Sequence, residues 1–112
     1  MNNHDGLLLD ASKLAAELRK RGDEWADTDA AFKALDDATK TILAEVFLGT
    51  DGTMAEREAK ARASQTVKDH MKDVNEARQK ANRARVAYDV YRTYVEMNRT
   101  NASSQRALVE LR

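Results

Sequence analysis

Apolar residues recur every three or four positions through the first half of the chain. The series is Leu7, Ala11, Leu14, Leu18, Trp25, Phe32, Leu35, Ile42 and Val46. This period places the apolar side chains on one stripe of an α-helix, so it predicts a helix over about residues 7–47. Proline is absent, which favours long uninterrupted helices over sheets and turns.

Polar residues interrupt this apolar seam near its middle. Arg21, Thr28 and Thr39 occupy seam positions of the heptad. Gly22 is the weakest helical position, because glycine costs about 1 kcal/mol relative to alanine inside a helix. It predicts a kink or a close helix crossing. The large aromatic residues on the seam, Trp25 and Phe32, are expected to be core residues.

The strongest break in the chain is Gly49-Thr50-Asp51-Gly52, a turn predicted over residues 49–52. Thr53 with Glu56 has the spacing of a capping box, which predicts a new short helix over about residues 54–62. Ser64 offers a second N-cap and predicts another break, followed by a last helix over about residues 65–110.

These elements predict an all-α fold. We expect one domain over residues 1–112, an antiparallel hairpin of two long helices with a short connecting helix. A hairpin of this size leaves much apolar surface uncovered. It is therefore expected to form a homodimer, as a helical bundle or coiled coil.

Composition excludes several classes of protein. Nineteen basic and nineteen acidic side chains cancel, so nucleic acid or an anionic membrane could be bound only through local segregation of charge. With no cysteine there is no disulfide framework and no thiolate site. The first residues do not form a signal peptide, and no apolar run approaches the length of a membrane span. We expect a bacterial cytoplasmic protein with no membrane contact.

The residues needed for catalysis or cofactor binding do not form recognisable motifs. His4 and His70 are the two histidines, and neither has metal-ligand spacing to a second ligand. Phosphate-binding glycine loops are missing, and carboxylates such as Asp36 and Asp37 lie on predicted solvated surface. We therefore expect no enzyme, no metal and no cofactor.

Arginines seven residues apart form a stripe on the last helix: Arg78, Arg85, Arg92, Arg99 and Arg106. One interpretation is a track for phosphates, with Tyr88, Tyr91 and Tyr94 as stacking surfaces for bases. Another, which we favour, is that the arginines flank the seam and meet carboxylates of the first helix. An antiparallel register then places Asp36 opposite Arg78 and Asp29 opposite Arg85.

The segments Thr53-Met54-Ala55-Glu56-Arg57-Glu58-Ala59-Lys60-Ala61 and Ala81-Asn82-Arg83-Ala84-Arg85-Val86-Ala87-Tyr88-Asp89 resemble small helical proteins of tailed bacteriophages and prophages. The likeness extends from the Glu17-Leu18 to Trp25 segment to the arginine-rich ending. It implies a cysteine-free protein encoded beside recombination or single-strand-annealing genes. It implies no catalytic or binding residue.

Three functions remain open. The first is a non-enzymatic phage accessory protein that contacts a phage or host protein of DNA recombination or replication. The second is direct nucleic-acid binding by the arginine stripe. The third is inhibition of a host nuclease or defence system through an acidic patch of Asp23, Glu24, Asp27, Asp29, Asp36 and Asp37. The candidate contact residues for a partner or nucleic acid are Arg85, Arg92, Tyr94, Arg99 and Arg106.

Overall fold

The computed structural model describes residues 10–111, and this part of the chain is all-helical, as predicted. Its helices are α1 (Ala11–Leu48), α2 (Met54–Ala63) and α3 (Gln65–Glu110). The described residues divide into two compact units. One contains residues 10–25 and 83–111, and the other contains residues 26–82. The prediction of a single domain stays a prediction.

Helix α1 begins at Ala11, where the Asp10 carboxylate accepts a 2.8 Å hydrogen bond from the Ser12 amide. This is an N-cap, which satisfies one of the free amides of the first turn. The predicted beginning near Leu7 lies outside the described residues. At the other end the helix stops one residue before Gly49, and the Thr50 hydroxyl donates to the Phe47 carbonyl at 2.9 Å.

The turn between α1 and α2 needs glycine at one position. Gly52 has a φ of +119°, whereas Gly49 keeps a negative φ. The predicted capping box follows and is confirmed: the Thr53 hydroxyl accepts from the Glu56 amide, and the Glu56 carboxylate accepts from the Thr53 amide, both at 3.3 Å. Arg57, in α2, links this helix to the end of α1, because its guanidinium donates a 3.1 Å hydrogen bond to the Phe47 carbonyl.

The predicted break at Ser64 is also confirmed. Ser64 leaves the helical conformation, with φ −67° and ψ 147°. Its amide donates to the Ala61 carbonyl, and its hydroxyl accepts a 3.2 Å hydrogen bond from the Val67 amide. One serine therefore ends α2 and caps α3.

In the unit of residues 26–82, α1 and α3 run antiparallel and share a narrow core. Ala61, Val67, Val74 and Ala81 are buried, and Val74 is completely inaccessible. His70 is buried among them, and its Nε2 lies 2.9 Å from the Thr39 hydroxyl. The polar seam residue Thr39 therefore has a specific partner across the seam.

In the unit of residues 10–25 and 83–111 the helices also run antiparallel. Leu14 is buried, and the rings of Trp25 and Tyr88 pack at 5.4 Å between centroids. Gly22 faces the Tyr88 ring: a Cβ built on Gly22 would lie 3.5 Å from Tyr88 Cε2. Of the two expectations for Gly22, the close helix crossing is the one supported, because α1 continues through this residue.

The apolar residues along the seam of α1 are less buried than the core residues of a globular domain. Trp25 and Phe32, predicted as core residues, are only partly buried, and so are Leu35 and Ile42. The physical reason is that, inside each unit, a helix of the pair covers only one side of its neighbour's apolar stripe. Much apolar surface consequently stays open to solvent.

Candidate functional site

The five predicted contact residues lie on one helix and in one unit. Arg85, Arg92, Tyr94, Arg99 and Arg106 are all on α3 within residues 83–111, and all are exposed. A spacing of seven residues corresponds to roughly 10 Å along the helix axis, with a rotation of about 20° per step. The arginines therefore form a slowly winding row.

Local contacts hold two of these arginines loosely. Arg92 Nη2 lies 3.8 Å from Asp89 Oδ1, with both side chains more than half exposed. Arg106 donates to the Ser103 hydroxyl at 3.4 Å. Contacts of this length on an exposed helix surface contribute little to stability, so both guanidinium groups can be redirected to a ligand.

The other two arginines are free. Arg85 and Arg99 form no ion pair or hydrogen bond with any side chain in residues 10–111. Free exposed guanidinium groups keep all their donors for phosphate or carboxylate.

The predicted pairing of Arg78 with Asp36 across the seam is wrong. No ion pair joins them, and Arg78 instead donates to Asn75 at 3.1 Å and lies over the Phe32 ring, 5.2 Å from its centroid. Asp29, the other predicted carboxylate, accepts from Lys33 on its own helix at 2.9 Å. That hydrogen bond raises the pKa of Lys33 above its ordinary value.

Two of the three tyrosines are already engaged. Tyr88 packs on Trp25, and Tyr91 receives the Arg21 guanidinium over its ring at 5.3 Å from the centroid. Tyr94 is 47% exposed, and its ring meets the Tyr91 ring edge-on at 5.7 Å. Tyr94 is therefore the most exposed of the three tyrosines, and its role as a partner contact stays a prediction.

Arg21 has a structural role that its position in the heptad did not reveal. The sequence shows it only as a polar residue that interrupts the apolar seam. Its guanidinium contacts Tyr91 and lies 3.6 Å from Glu17 and 3.4 Å from Glu24. The contact with Tyr91 raises the pKa of Arg21 most, and Glu24 and Glu17 raise it further. Arg21 therefore contacts Glu24, one of the six residues of the predicted acidic patch.

Exposed apolar residues beside the arginines were missed by the sequence reasoning. Val86 is 55% exposed, Val90 41% and Met97 45%. Their spacing of four and then seven residues has the helical period, and this was the signal that could have revealed a second apolar stripe. The candidate site therefore combines exposed apolar, aromatic and guanidinium groups.

Residues 10–111 contain no cluster of three or more histidine, cysteine or carboxylate side chains placed to hold a metal ion. No helix in this range is long and apolar enough to cross a membrane. No protein family, curated protein or solved structure matches the chain.

Proposed function

We propose that this chain is a non-enzymatic protein that acts through protein–protein contacts made by the C-terminal half of α3. The observation that carries this proposal is the exposure of Tyr94 and Met97 between exposed arginines. Tyrosine, arginine and methionine are the side chains enriched in protein interfaces, and tyrosine and arginine dominate their hot spots. The edge contact with Tyr91 orders the Tyr94 ring before binding, which lowers the entropy lost on association.

The proposal extends to the setting that the phage resemblance implies. The partner would be a phage or host protein of DNA recombination or replication in the bacterial cytoplasm. The predicted antiparallel hairpin, and its pairing with a second copy, belong to the same proposal. The partly buried seams support it, because open apolar surface favours assembly.

An affinity capture from phage-infected bacterial lysate tests this function. Tagged wild type, Tyr94→Ser and Tyr94→Phe would be compared, each with and without nuclease treatment, and the retained proteins identified by mass spectrometry. We expect a DNA-metabolism protein that survives nuclease treatment, is lost with Tyr94→Ser and is kept with Tyr94→Phe. The proposal would be contradicted if the captured protein were retained equally by Tyr94→Ser, or if it were lost on nuclease treatment.

A second candidate function is direct nucleic-acid binding, favoured by the unpaired guanidinium groups of Arg85 and Arg99. If each arginine in the row contacts a phosphate, affinity for DNA should fall steeply with salt. Fluorescence anisotropy with labelled single- and double-stranded DNA measures this slope. In the variant Arg85→Gln/Arg99→Gln, the dependence of DNA affinity on salt should become weaker by the equivalent of roughly two phosphate contacts. Binding that is absent or insensitive to salt would rule out this candidate function.

A further inference from the structure

We propose that Asp51 and Gly52 form a site of spontaneous isoaspartate formation and that Lys60 promotes the reaction. The modification takes place in the turn between α1 and α2, which the proposed function does not use. It needs no enzyme, oxidant or cofactor, because water is the one reactant that the chain does not supply. The group that reacts is the peptide bond between Asp51 and Gly52.

The reaction has two steps, in which one water leaves and one returns. In the first step the Gly52 backbone nitrogen attacks Cγ of the protonated Asp51 side chain. An N–Cγ bond forms, a Cγ–O bond breaks, the amide proton and the hydroxyl leave as water, and a succinimide ring results. In the second step water adds to one of the two ring carbonyls. Addition at Cγ restores aspartate, whereas addition at the main-chain carbonyl breaks the original peptide bond and gives isoaspartate.

The Gly52 amide is available for this attack. Gly52 lies between α1 and α2, and its N–H donates to no group within residues 10–111. Glycine has no Cβ, so its nitrogen is open to approach by the preceding side chain. The Asp51 side chain is exposed and forms no hydrogen bond or ion pair with any described residue. The two reacting groups are therefore free to meet.

The other aspartates of residues 10–111 lack this combination. All of them except Asp10 lie inside α1 or α3, where the amide of the following residue donates to the carbonyl four residues earlier. Asp10 is followed by an alanine, and its carboxylate accepts a 2.8 Å hydrogen bond from the Ser12 amide. Within this part of the chain, Asp51 is therefore the aspartate expected to react.

Lys60 acts on the same peptide group. Its ammonium donates a 3.0 Å hydrogen bond to the main-chain carbonyl of Asp51. This carbonyl and the Gly52 amide share one delocalised peptide bond, so negative charge that develops on the nitrogen as it loses its proton spreads to this oxygen. A cation held at the oxygen where charge develops stabilises that state. The contact with Lys60 therefore favours attack by the Gly52 nitrogen.

Lys60 also favours isoaspartate over a return to aspartate. Water that attacks the main-chain carbonyl of Asp51 places negative charge on the same oxygen. After the ring opens, this oxygen belongs to a free carboxylate, and the hydrogen bond from Lys60 becomes a charge-assisted ion pair. The turn changes as well, because isoaspartate adds one backbone atom ahead of the capping residue Thr53.

Ageing of the full chain in neutral buffer tests the site. Trypsin releases residues 41–57, which contain Asp51 but not Lys60, so the same peptide is compared in the wild type and in every Lys60 variant. Isoaspartate leaves the mass of this peptide unchanged but shifts its chromatographic retention, and electron-transfer fragmentation locates the isomer. We expect isoaspartate to accumulate at Asp51. Its absence there, or faster formation at another aspartate of residues 10–111, would overturn the proposal.

Three variants separate the role of Lys60 from that of the dipeptide. Lys60→Gln removes the ammonium and should slow the accumulation by roughly threefold to tenfold, a modest effect because the contact is exposed. Lys60→Arg keeps a cationic donor and should react within about twofold of the wild type. Lys68→Gln is the matched control, since it removes the same charge from an exposed position of α3 and should react as the wild type does. Equal rates for Lys60→Gln and the wild type would refute the role of Lys60.

The chain also carries its own reference. Asp5-Gly6 is the same dipeptide, lies outside the described residues and is released by trypsin within residues 1–13. Lys60→Gln should lower the rate at Asp51 relative to the rate at Asp5. In guanidinium chloride the unfolded chain no longer holds Lys60 at Asp51, so the difference between the wild type and Lys60→Gln should disappear. A difference that persists in the unfolded chain would be an effect of sequence alone and would refute the role of the folded contact.

Discussion

Replacing Gly22 by alanine should stabilise the protein. Gly22 lies inside α1, and its φ is not in the left-handed region, so the conformational freedom of glycine is not used there. An added Cβ would lie 3.5 Å from Tyr88 Cε2 and 3.6 Å from Cδ2, which are ordinary van der Waals distances. The methyl group fits without moving the ring.

The magnitude follows from helix propensity. Alanine is favoured over glycine inside a helix by about 1 kcal/mol, and the contact with Tyr88 adds to this rather than opposing it. With an unfolding entropy of about 2.1 cal/mol/K per residue over 112 residues, 1 kcal/mol corresponds to a rise in Tm of about 4 °C.

Urea unfolding followed by circular dichroism, at one fixed protein concentration, measures the change in free energy of unfolding. Gly49→Ala is the matched control. Its Cβ would meet only backbone oxygens at 3.6 Å and beyond, and Gly49 lies after the last residue of α1, so we expect little gain. A destabilised Gly22→Ala, or equal shifts for both variants, would refute the argument that Gly22 is a penalised helix-interior glycine.

Further variants probe the polar seam and the turn. Thr39→Val should lower the free energy of unfolding by about 1–3 kcal/mol, because the buried imidazole of His70 loses its partner. Thr39→Val/His70→Leu should recover most of that loss, and urea unfolding of the single and double variants in a double-mutant cycle measures both effects. Thr53→Ala removes one half of the capping box and should cost about 1 kcal/mol by the same measurement. Gly52→Ala should lower the free energy of unfolding by more, about 1–3 kcal/mol, because the φ of Gly52 is +119° and the new Cβ would collide with the Glu56 carboxylate. An unchanged urea midpoint would contradict this prediction.

Local chemistry explains why the elements could be predicted. The capping box of Thr53 and Glu56, the cap at Ser64 and the two glycines act on neighbouring backbone groups, so their effects can be read from a few consecutive residues. Helical periodicity is equally local. The all-helical fold therefore followed from the sequence.

Partners across the seam could not be predicted in this way. The Arg78 guanidinium lies over the Phe32 ring and does not pair with the Asp36 carboxylate. A guanidinium on an aromatic face keeps its contact with water, whereas an exposed ion pair contributes little free energy. Metal-ligand spacing does not reveal the role of His70. Its place three residues after Val67 and four before Val74 was the signal that it belongs to the buried stripe.

The buried pair of Thr39 and His70 leads to a last prediction, that it selects the register of the helices in the unit of residues 26–82. A slip by one heptad would place Phe32 or Val46 opposite His70, and neither side chain can hydrogen-bond to the imidazole. Polar residues on an otherwise apolar seam fix register in coiled coils by this penalty on alternatives. The double variant Thr39→Val/His70→Leu removes the penalty while keeping apolar contact.

This double variant should therefore remain stable but lose its unique alignment. We expect additional or broadened amide signals for residues 26–82 in a ¹⁵N-correlated NMR spectrum, since two registers of similar energy would exchange. The single variant Thr39→Ser keeps a hydroxyl for His70 in the native register and offers none in a slipped one, so it keeps the penalty and should show one set of signals. One sharp set of signals from the double variant would show that the apolar side chains alone select the register, and the polar pair would then be a contributor to stability only.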